Sequence, residues 1–267
     1  MKNNLRKISI LGISLTSASK GKVLEHFDHF VSQKAKKGYL VTPNPEMLVL
    51  AQTDKQFKDI LNHAELSLVD GVGLVLASKL LGKSRLERFS GSDFVEDVCK
   101  RYVNKPVTVG FLGGRGLVAE MTAECLMKKY PGLSVGFISD EWRRQGFANA
   151  RLLMKKYRSE DSSMGASRET PEKDEVDILF VAFGFPKQEY WIAEHLANLP
   201  ITMAIGVGGA FDYISGTVPR APRWAQAWGM EWLYRLIRQP WRGKRQLALF
   251  TFVGMVMREK LKVTSEK

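Results

Sequence analysis

The chain has 267 residues, 45% of them hydrophobic and 25% charged, which is typical of a globular protein with one large α/β domain, alone or with an appendage. Its two cysteines exclude a disulfide framework and a cysteine-rich zinc site. The apolar run at 247–257 is far shorter than the roughly 20 residues that a membrane-spanning helix needs. The net charge of +12 allows an anionic partner, either a membrane surface or a nucleic acid.

The elements alternate along the chain. The apolar segment 8–15 alternates and lacks a small-residue cleavage site, so it is predicted to be a first strand rather than a signal peptide. The seven predicted strands are 8–15, 38–44, 66–71, 107–114, 133–139, 176–184 and 201–209. Helical patterns between them occupy 21–35, 46–64, 73–82, 92–103 and 116–130.

These strands are short and apolar on both faces, which is typical of a buried parallel sheet. The sequence therefore predicts a Rossmann-like α/β domain over residues 1–214, with a mostly parallel sheet and helices on both faces. The polar segment 159–175 is predicted to be a mobile surface loop within it. Residues 215–267 are predicted to form a separate helical appendage.

Polar or glycine-rich segments follow five of the strands. Ligands of open α/β sheets bind beyond the carboxyl ends of the strands, and glycines let backbone N–H groups approach a phosphate. These segments are 42–46, 70–73, 113–116, 184–189 and 206–212. A turn or a helix cap explains any one of them. Five together favour a nucleotide or another phosphorylated ligand.

No metal site is predicted. Glu25, His26 and His29 stand at helical spacing, but the pattern differs from known zinc motifs and favours a solvated helix face. The chain also lacks an Asp-x-Asp pair that would hold a divalent ion on a nucleotide diphosphate. Arginines are the obvious alternative source of positive charge.

The C-terminal part combines aromatic residues with positive charge. Residues 218–267 contain 11 Lys or Arg against 3 Asp or Glu, and four of the six tryptophans lie at Trp224, Trp228, Trp232 and Trp241. The first three recur at helical spacing and are predicted to share one face. This composition favours an interfacial segment on anionic lipid, while the alternative is a tryptophan-rich helix pair packed on the core.

Seven blocks resemble the WecG/TagA/CpsF glycosyltransferase family, in order and at plausible spacing. They are TPNPEML (42–48), LVDGVGLVLASKLLG (68–82), ERFSGSD (87–93), FLGGRG (111–116), FGFPKQE (183–189), GVGGAFDYISGTVPRAP (206–222) and GMEWLYRLIRQPWR (229–242). The segment 159–175 departs from the family pattern as an insertion, and Phe183 and Phe185 replace smaller residues.

The resemblance implies an inverting, metal-independent transfer of a sugar from a UDP-sugar to an undecaprenyl-diphosphate-linked acceptor sugar, without a cofactor. It implies a role in cell-wall or surface polysaccharide assembly, peripheral on the cytoplasmic face of the membrane. N-acetylmannosamine, its uronic acid, glucuronic acid and glucose all suit the family as the transferred sugar. The acceptor sugar and a homo-oligomeric state stay open.

The resemblance also implies roles for single residues. Asp70 matches the general base, although an N-cap of the following helix is the structural alternative. The positions expected to bind the donor are Thr42, Asn44, Gly113, Gly114, Gln188, Gly208, Gly209 and Asp212. The arginines expected to meet the diphosphate are Arg235, Arg242 and Arg245. Arg88 and Asp93 belong to a block of unassigned role.

Two other functions compete with this interpretation. The segment 70–77 faintly resembles a dinucleotide-binding fingerprint, but its acidic residue precedes the glycine turn, which argues against an oxidoreductase. The basic charge allows a nucleic-acid-binding protein, but no RRM, KH or helix-turn-helix pattern accompanies it. The sequence therefore favours the membrane-associated glycosyltransferase, with no nucleic acid as partner.

Overall fold

The computed structural model describes residues 5–140, 176–227, 231–238 and 243–265 of the protein. Its main sheet has six strands, and every strand pair with a defined register in it is parallel. The six strands are β3 (Gly38–Val41), β4 (Leu66–Ser67), β5 (Thr108–Gly113), β6 (Ser134–Ser139), β7 (Ile178–Ala182) and β8 (Met203–Gly206), in the spatial order β4-β3-β8-β7-β5-β6. The predicted α/β class and parallel sheet are confirmed.

Helices separate most of these strands, as the alternating pattern predicts. Those before the last strand of the sheet are α1 (Lys20–Ser32), α2 (Pro45–Leu50), α3 (Lys55–His63), α4 (Val72–Leu80), α5 (Gly91–Arg101), α6 (Val118–Lys129) and α7 (Lys187–His195). Those after it are α8 (Ala210–Ile214), α9 (Arg223–Ala227), α10 (Glu231–Arg238) and α11 (Gly243–Ser265). The pattern at 46–64 is divided into α2 and α3, because the Asp54 side chain accepts a hydrogen bond from Phe57 N and begins a new helix.

The prediction of one strand over residues 8–15 is wrong. The segment forms a separate antiparallel hairpin of β1 (Lys7–Ile10) and β2 (Ile13–Thr16). Leu11 and Gly12 link the strands with φ of 50° and 75°, and two successive positive φ values are what a tight two-residue hairpin turn requires. The alternation in the sequence is thus that of two short strands joined by a turn.

The chain divides into two compact units. The first contains residues 1–27, 40–90 and 219–267, and the second contains residues 28–39 and 91–218. The predicted boundary at residue 214 between a catalytic domain and an appendage stays a prediction. The structure adds that the C-terminal residues group with the hairpin and with the β3–β4 part of the chain.

In the first unit, the long helix α11 packs against α2 and α4. Phe252 and Val256 on its inner side are each 2% exposed. The carboxylate of Glu259 accepts a hydrogen bond from Leu11 N (3.0 Å) and forms an ion pair with Lys83 Nζ (2.5 Å). Helix α11 is therefore attached by buried side chains and by a polar contact to the hairpin.

In the second unit, aromatic side chains fill the space beside the strands. Phe111 on β5 stacks on Phe180 of β7 with ring centroids 5.5 Å apart, and Phe211 of α8 meets Phe111 edge-on. The buried Asp177 accepts from Thr108 N (2.8 Å) and pairs with Lys34 (3.1 Å). These contacts fix the start of β5 beside the start of β7.

Two phenylalanines of α11 provide a matched test of its packing. Phe252 is 2% exposed and Phe250 is 74% exposed. Phe252→Ala is expected to destabilise the protein by about 3–5 kcal/mol, because it leaves a cavity, whereas Phe250→Ala is expected to change stability by less than about 0.5 kcal/mol. Thermal melts of both variants measure this. Equal melting temperatures would mean that α11 is not packed on the unit.

Candidate functional site

The first unit brings three predicted segments side by side. Asp70 N donates to Pro43 O (2.8 Å), and Phe89 N donates to Val69 O (2.8 Å). The segments that follow the neighbouring strands β3 and β4 therefore lie next to each other. The segment that carries Arg88 lies beside the segment that follows β4. Thr42, Asn44, Asp70 and Arg88 thus belong to adjacent stretches of backbone, as parallel strands require.

Asp70 lies half-buried directly before the first turn of α4. The N-cap of α4 is Gly71, whose φ of +92° favours glycine and which makes no side-chain capping bond. Asp70 is thus not the N-cap residue that the structural alternative required. Its backbone N–H donates to Pro43 O, which holds the backbone of Asp70 at the strand exit.

Asn44 has a structural role that its motif did not reveal. It is the N-cap of α2, and its Oδ1 accepts from Met47 N (3.0 Å). Thr42, the first residue after β3, is buried. The first turns of α2 and α4 also lie close together, because a Cβ on Gly73 would lie 2.9 Å from Pro45 Cγ. Gly73 therefore permits a close approach of two helices.

The second unit holds a buried polar cluster at the exits of β7 and β8. Gln188, in the first turn of α7, is 2% exposed, and its Oε1 accepts from Gly208 N (2.9 Å). Its Nε2 donates to Oε1 of Glu189 (2.7 Å). Gln188 therefore ties α7 to the glycine turn after β8, and both ends of its carboxamide are engaged within the protein.

Sequence reasoning missed Glu189. This carboxyl group is fully buried, and its Oε2 has no hydrogen-bond partner among the described residues. Burial raises the pKa of Glu189 to about 7, against smaller lowering effects of the hydrogen bonds from Gln188 and from a backbone N–H. The only signal in the sequence is its position beside Gln188 in the block FGFPKQE, between buried strands.

The glycines at the β5 exit have a packing role. Gly113 and Gly114 have φ of +104° and +91°, and Gly114 N donates to Ala182 O (3.2 Å). A Cβ on Gly113 would lie 2.8 Å from the carbonyl carbon of Ala182. Glycine is therefore needed for the close approach of the β5 and β7 ends, and the predicted donor contact of these glycines stays a prediction.

The remaining predicted residues are placed as follows. Gly209 is the N-cap of α8, Asp212 lies half-buried in α8, and Asp93 lies half-buried in the first turn of α5. Arg235 lies on α10 and Arg245 on α11. The predictions for Arg242 and for the loop 159–175 concern residues outside those described.

The tryptophans of the C-terminal part that the structure describes are exposed. Trp224 on α9 is 61% exposed and Trp232 on α10 is 43% exposed, while Trp228 and Trp241 lie outside the described residues. A helix pair that uses these indoles for core packing would bury them. The core-packing alternative is therefore not supported for Trp224 and Trp232.

The acidic and histidine side chains of the site do not form a metal centre within the described ranges. Among those residues no group of three or more His, Cys, Asp or Glu side chains stands close enough together to hold a metal ion. His26 instead contacts Glu65 (2.7 Å). On α1, Glu25 and His29 are exposed, as predicted for a solvated face, whereas His26 is half-buried against Glu65.

Comparisons with known proteins agree on one class of enzyme. A family model described as Glycosyl transferase WecG/TagA/CpsF family matches residues 8–266. The chain is similar to proteins named N-acetylglucosaminyldiphosphoundecaprenol N-acetyl-beta-D-mannosaminyltransferase from several bacteria. That of Bacillus spizizenii (strain W23) is 31% identical over 88% of this chain and 84% of its own length. The protein of Bacillus subtilis (strain 168) is 31% identical over 86% of this chain and 83% of its own length. That of Staphylococcus aureus (strain MW2) is 27% identical over 100% of this chain and 98% of its own length.

Glu189 makes stability depend on pH. The unfolded chain releases this proton near pH 4.5, whereas the folded protein holds it up to about pH 7, so the folded state loses stability as pH rises through this interval. Glu189→Gln stays neutral throughout. The melting temperature of the wild type relative to this variant is expected to fall by roughly 5–10 °C between pH 4.5 and 8, measured by parallel thermal melts. Parallel curves for the two proteins would contradict this effect.

Proposed function

The chain belongs to the WecG/TagA/CpsF family of glycosyltransferases, and from this membership we propose that it transfers N-acetylmannosamine or a related hexose from a UDP-sugar to an undecaprenyl-diphosphate-linked N-acetylglucosamine. The observation that carries the proposal is the family match over residues 8–266, supported by relatives that have the same enzyme name and match 88% and 100% of this chain. The product serves the assembly of a cell-wall or surface polysaccharide.

We propose that Asp70 is the general base. In an inverting transfer, the acceptor hydroxyl loses its proton to a carboxylate, its oxygen bonds to the anomeric carbon, and the bond from that carbon to the UDP oxygen breaks on the opposite face. The position of Asp70 supports this role. It stands at a strand exit, its backbone is hydrogen-bonded to Pro43, and it is not used as the N-cap of α4.

The donor and its leaving group need further contacts. We assign the donor to Thr42 and Asn44, to the glycine-rich strand exits and to Asp212, the positions that the family motifs imply. The departing UDP carries negative charge, and we assign its neutralisation to Arg235, Arg242 and Arg245 rather than to a divalent ion. A set of fixed cations at a phosphate acts in the same electrostatic way as a metal.

We further propose that the enzyme works peripherally on the inner face of the cell membrane. Leu247, Phe250, Val253, Met257 and Leu261 of α11 are at least half exposed and share one face, opposite to the buried Phe252 and Val256. Exposed Arg258 and Lys262 flank this apolar face, which suits a surface with apolar chains below anionic headgroups.

None of the described helices is long and apolar enough to cross a membrane. An apolar stripe on a helix that is packed along its other side offers instead a way to lie on the membrane surface, where the lipid-linked acceptor is found. Neither a dinucleotide-dependent oxidoreductase nor a nucleic-acid-binding protein explains the family match, so neither is retained.

Transfer to a lipid-diphosphate-linked N-acetylglucosamine tests the activity and the base together, with EDTA present because no divalent metal is required. Asp70→Asn is expected to lower turnover by about 10² to 10⁴, because it removes the proton acceptor, while UDP affinity stays within about threefold. Asp54→Asn is the matched control, since asparagine also caps a helix and α3 should be preserved.

Normal turnover in Asp70→Asn would exclude Asp70 as the base. A wild-type protein that transfers no hexose from any UDP-sugar, or that needs Mg²⁺ or Mn²⁺ for transfer, would contradict the proposed reaction.

The membrane proposal is tested by placing charge on the exposed face of α11. Leu247→Asp combined with Phe250→Asp is expected to reduce co-sedimentation with vesicles containing phosphatidylglycerol by at least about tenfold, because two side chains no longer enter the apolar layer. The charge-matched control is Leu117→Asp with Met121→Asp, two exposed apolar residues at the start of α6. An equal loss in both double variants would show that net charge alone governs binding, against the proposed face.

A further inference from the structure

A buried carboxyl group lies within the glycosyltransferase fold without a catalytic assignment. Glu189 is fully buried, and only one of its two oxygens has a hydrogen-bond partner among the described residues. An acidic side chain in such a place is costly, so a role is expected for it. Because no part of Glu189 is exposed, it does not touch a bound substrate in this conformation. Any effect on the reaction is transmitted through a neighbour.

The neighbour is Gln188. Its carboxamide has one accepting and one donating end, and the two ends are used differently: Oε1 accepts from Gly208 N, and Nε2 donates to Glu189. A rotated carboxamide would direct its NH₂ group at the backbone N–H of Gly208, which is a repulsive contact. The acceptor on Glu189 therefore stabilises the one orientation in which Gln188 holds Gly208.

The glycine at the end of β8, Gly206, leaves room for this arrangement. A Cβ on Gly206 would lie 2.8 Å from Gln188 Nε2 and 3.3 Å from Glu189 Oε1. A larger side chain at residue 206 would push the Gln188 carboxamide out of its position. Loss of Glu189 would instead remove the acceptor that holds this carboxamide. Gly206, Gln188 and Glu189 are thus packed as one polar cluster.

This cluster supports a turn with a predicted ligand role. Residues 207–210 form the turn after β8, closed by Ala210 N donating to Val207 O (3.1 Å), with Gly208 at φ +53°. Glycine is flexible, so a Gly-Gly turn has many accessible conformations unless something restrains it. The bond from Gly208 N to Gln188 is such a restraint, and it is internal to the second unit.

We propose that Glu189 is a positioning residue that holds the Gln188 carboxamide, and through it the turn 207–210, in the conformation that binds the nucleotide part of the donor. This inference rests on the proposed function, because it takes the ligand of the turn to be a uridine diphosphate. The role requires an accepting oxygen on residue 189 and not a negative charge. Glu189 is buried, and no cation among the described residues acts on its pKa, which agrees with a group that works uncharged.

The experiment measures UDP binding by calorimetry for the full-length protein and four variants. Glu189→Leu keeps the volume and the burial but removes the acceptor, and it is expected to weaken UDP binding about tenfold or more. Glu189→Gln keeps an accepting oxygen and is expected to restore affinity to within about threefold of the wild type. Gly206→Ala, with Glu189 intact, is expected to weaken UDP binding as the leucine variant does.

Asp177→Asn is the matched control for an acid-to-amide change in the same unit. Asp177 is buried and accepts from Thr108 N at the opposite end of the strands, so its loss is expected to lower the melting temperature without changing UDP affinity.

In transfer assays, Glu189→Leu is expected to raise KM for the UDP-sugar more than it lowers kcat, since Glu189 acts on binding of the donor.

The outcomes separate this inference from the reaction itself. Wild-type binding of UDP with equal binding by a folded Glu189→Leu would overturn the positioning role and leave the proposed function intact. If Glu189→Leu and Glu189→Gln weaken UDP binding equally, an accepting oxygen at residue 189 is not sufficient. The proposal that the role needs no negative charge would then be overturned. If the wild type binds no UDP, the proposed donor is wrong and this inference falls with it. A leucine variant that does not fold leaves Gly206→Ala as the deciding variant.

Discussion

The hydrogen bonding of parallel strands is the constraint on which the candidate site depends. Parallel strands that are paired side by side end at the same edge of a sheet, so the residues that follow them are neighbours even when they are distant in sequence. In the first unit this brings Asp70 beside Pro43, and in the second it brings Gly114 beside Ala182. Motifs that are far apart in sequence are thus brought together because the strands that precede them are paired in the sheet.

Several residues of the family motifs have a structural role in addition to any chemical one. Asn44 begins α2, Gly71 begins α4 in a left-handed conformation, and Gly113 lets β5 and β7 approach. These roles do not compete with ligand binding, since a capped helix start also presents its backbone N–H groups beyond the strand end. A motif of this kind encodes the shape of the strand exit as well as its chemistry.

The C-terminal part combines two faces with different physical demands. Helix α11 buries Phe252 and Val256 against the first unit and exposes a stripe of large apolar side chains on its other side. Packing explains the first set and leaves the second unexplained, because an exposed apolar face of this length costs solubility. The proposed membrane face and the packing of α11 in its unit are compatible, because they use opposite sides of one helix.

From the sequence alone follow the α/β class, the parallel sheet, the family and the segments at the strand exits, because these depend on local periodicity and on the order of motifs. The sequence pattern did not show that residues 8–15 turn back on themselves, since a hairpin and a strand share the same alternation. The motif drew attention to Gln188 but not to the buried Glu189 beside it. The pattern also did not show that Phe252 is buried while Phe250 is exposed. Those distinctions depend on which side chains other parts of the chain bury, and burial is decided only when segments far apart in sequence pack together.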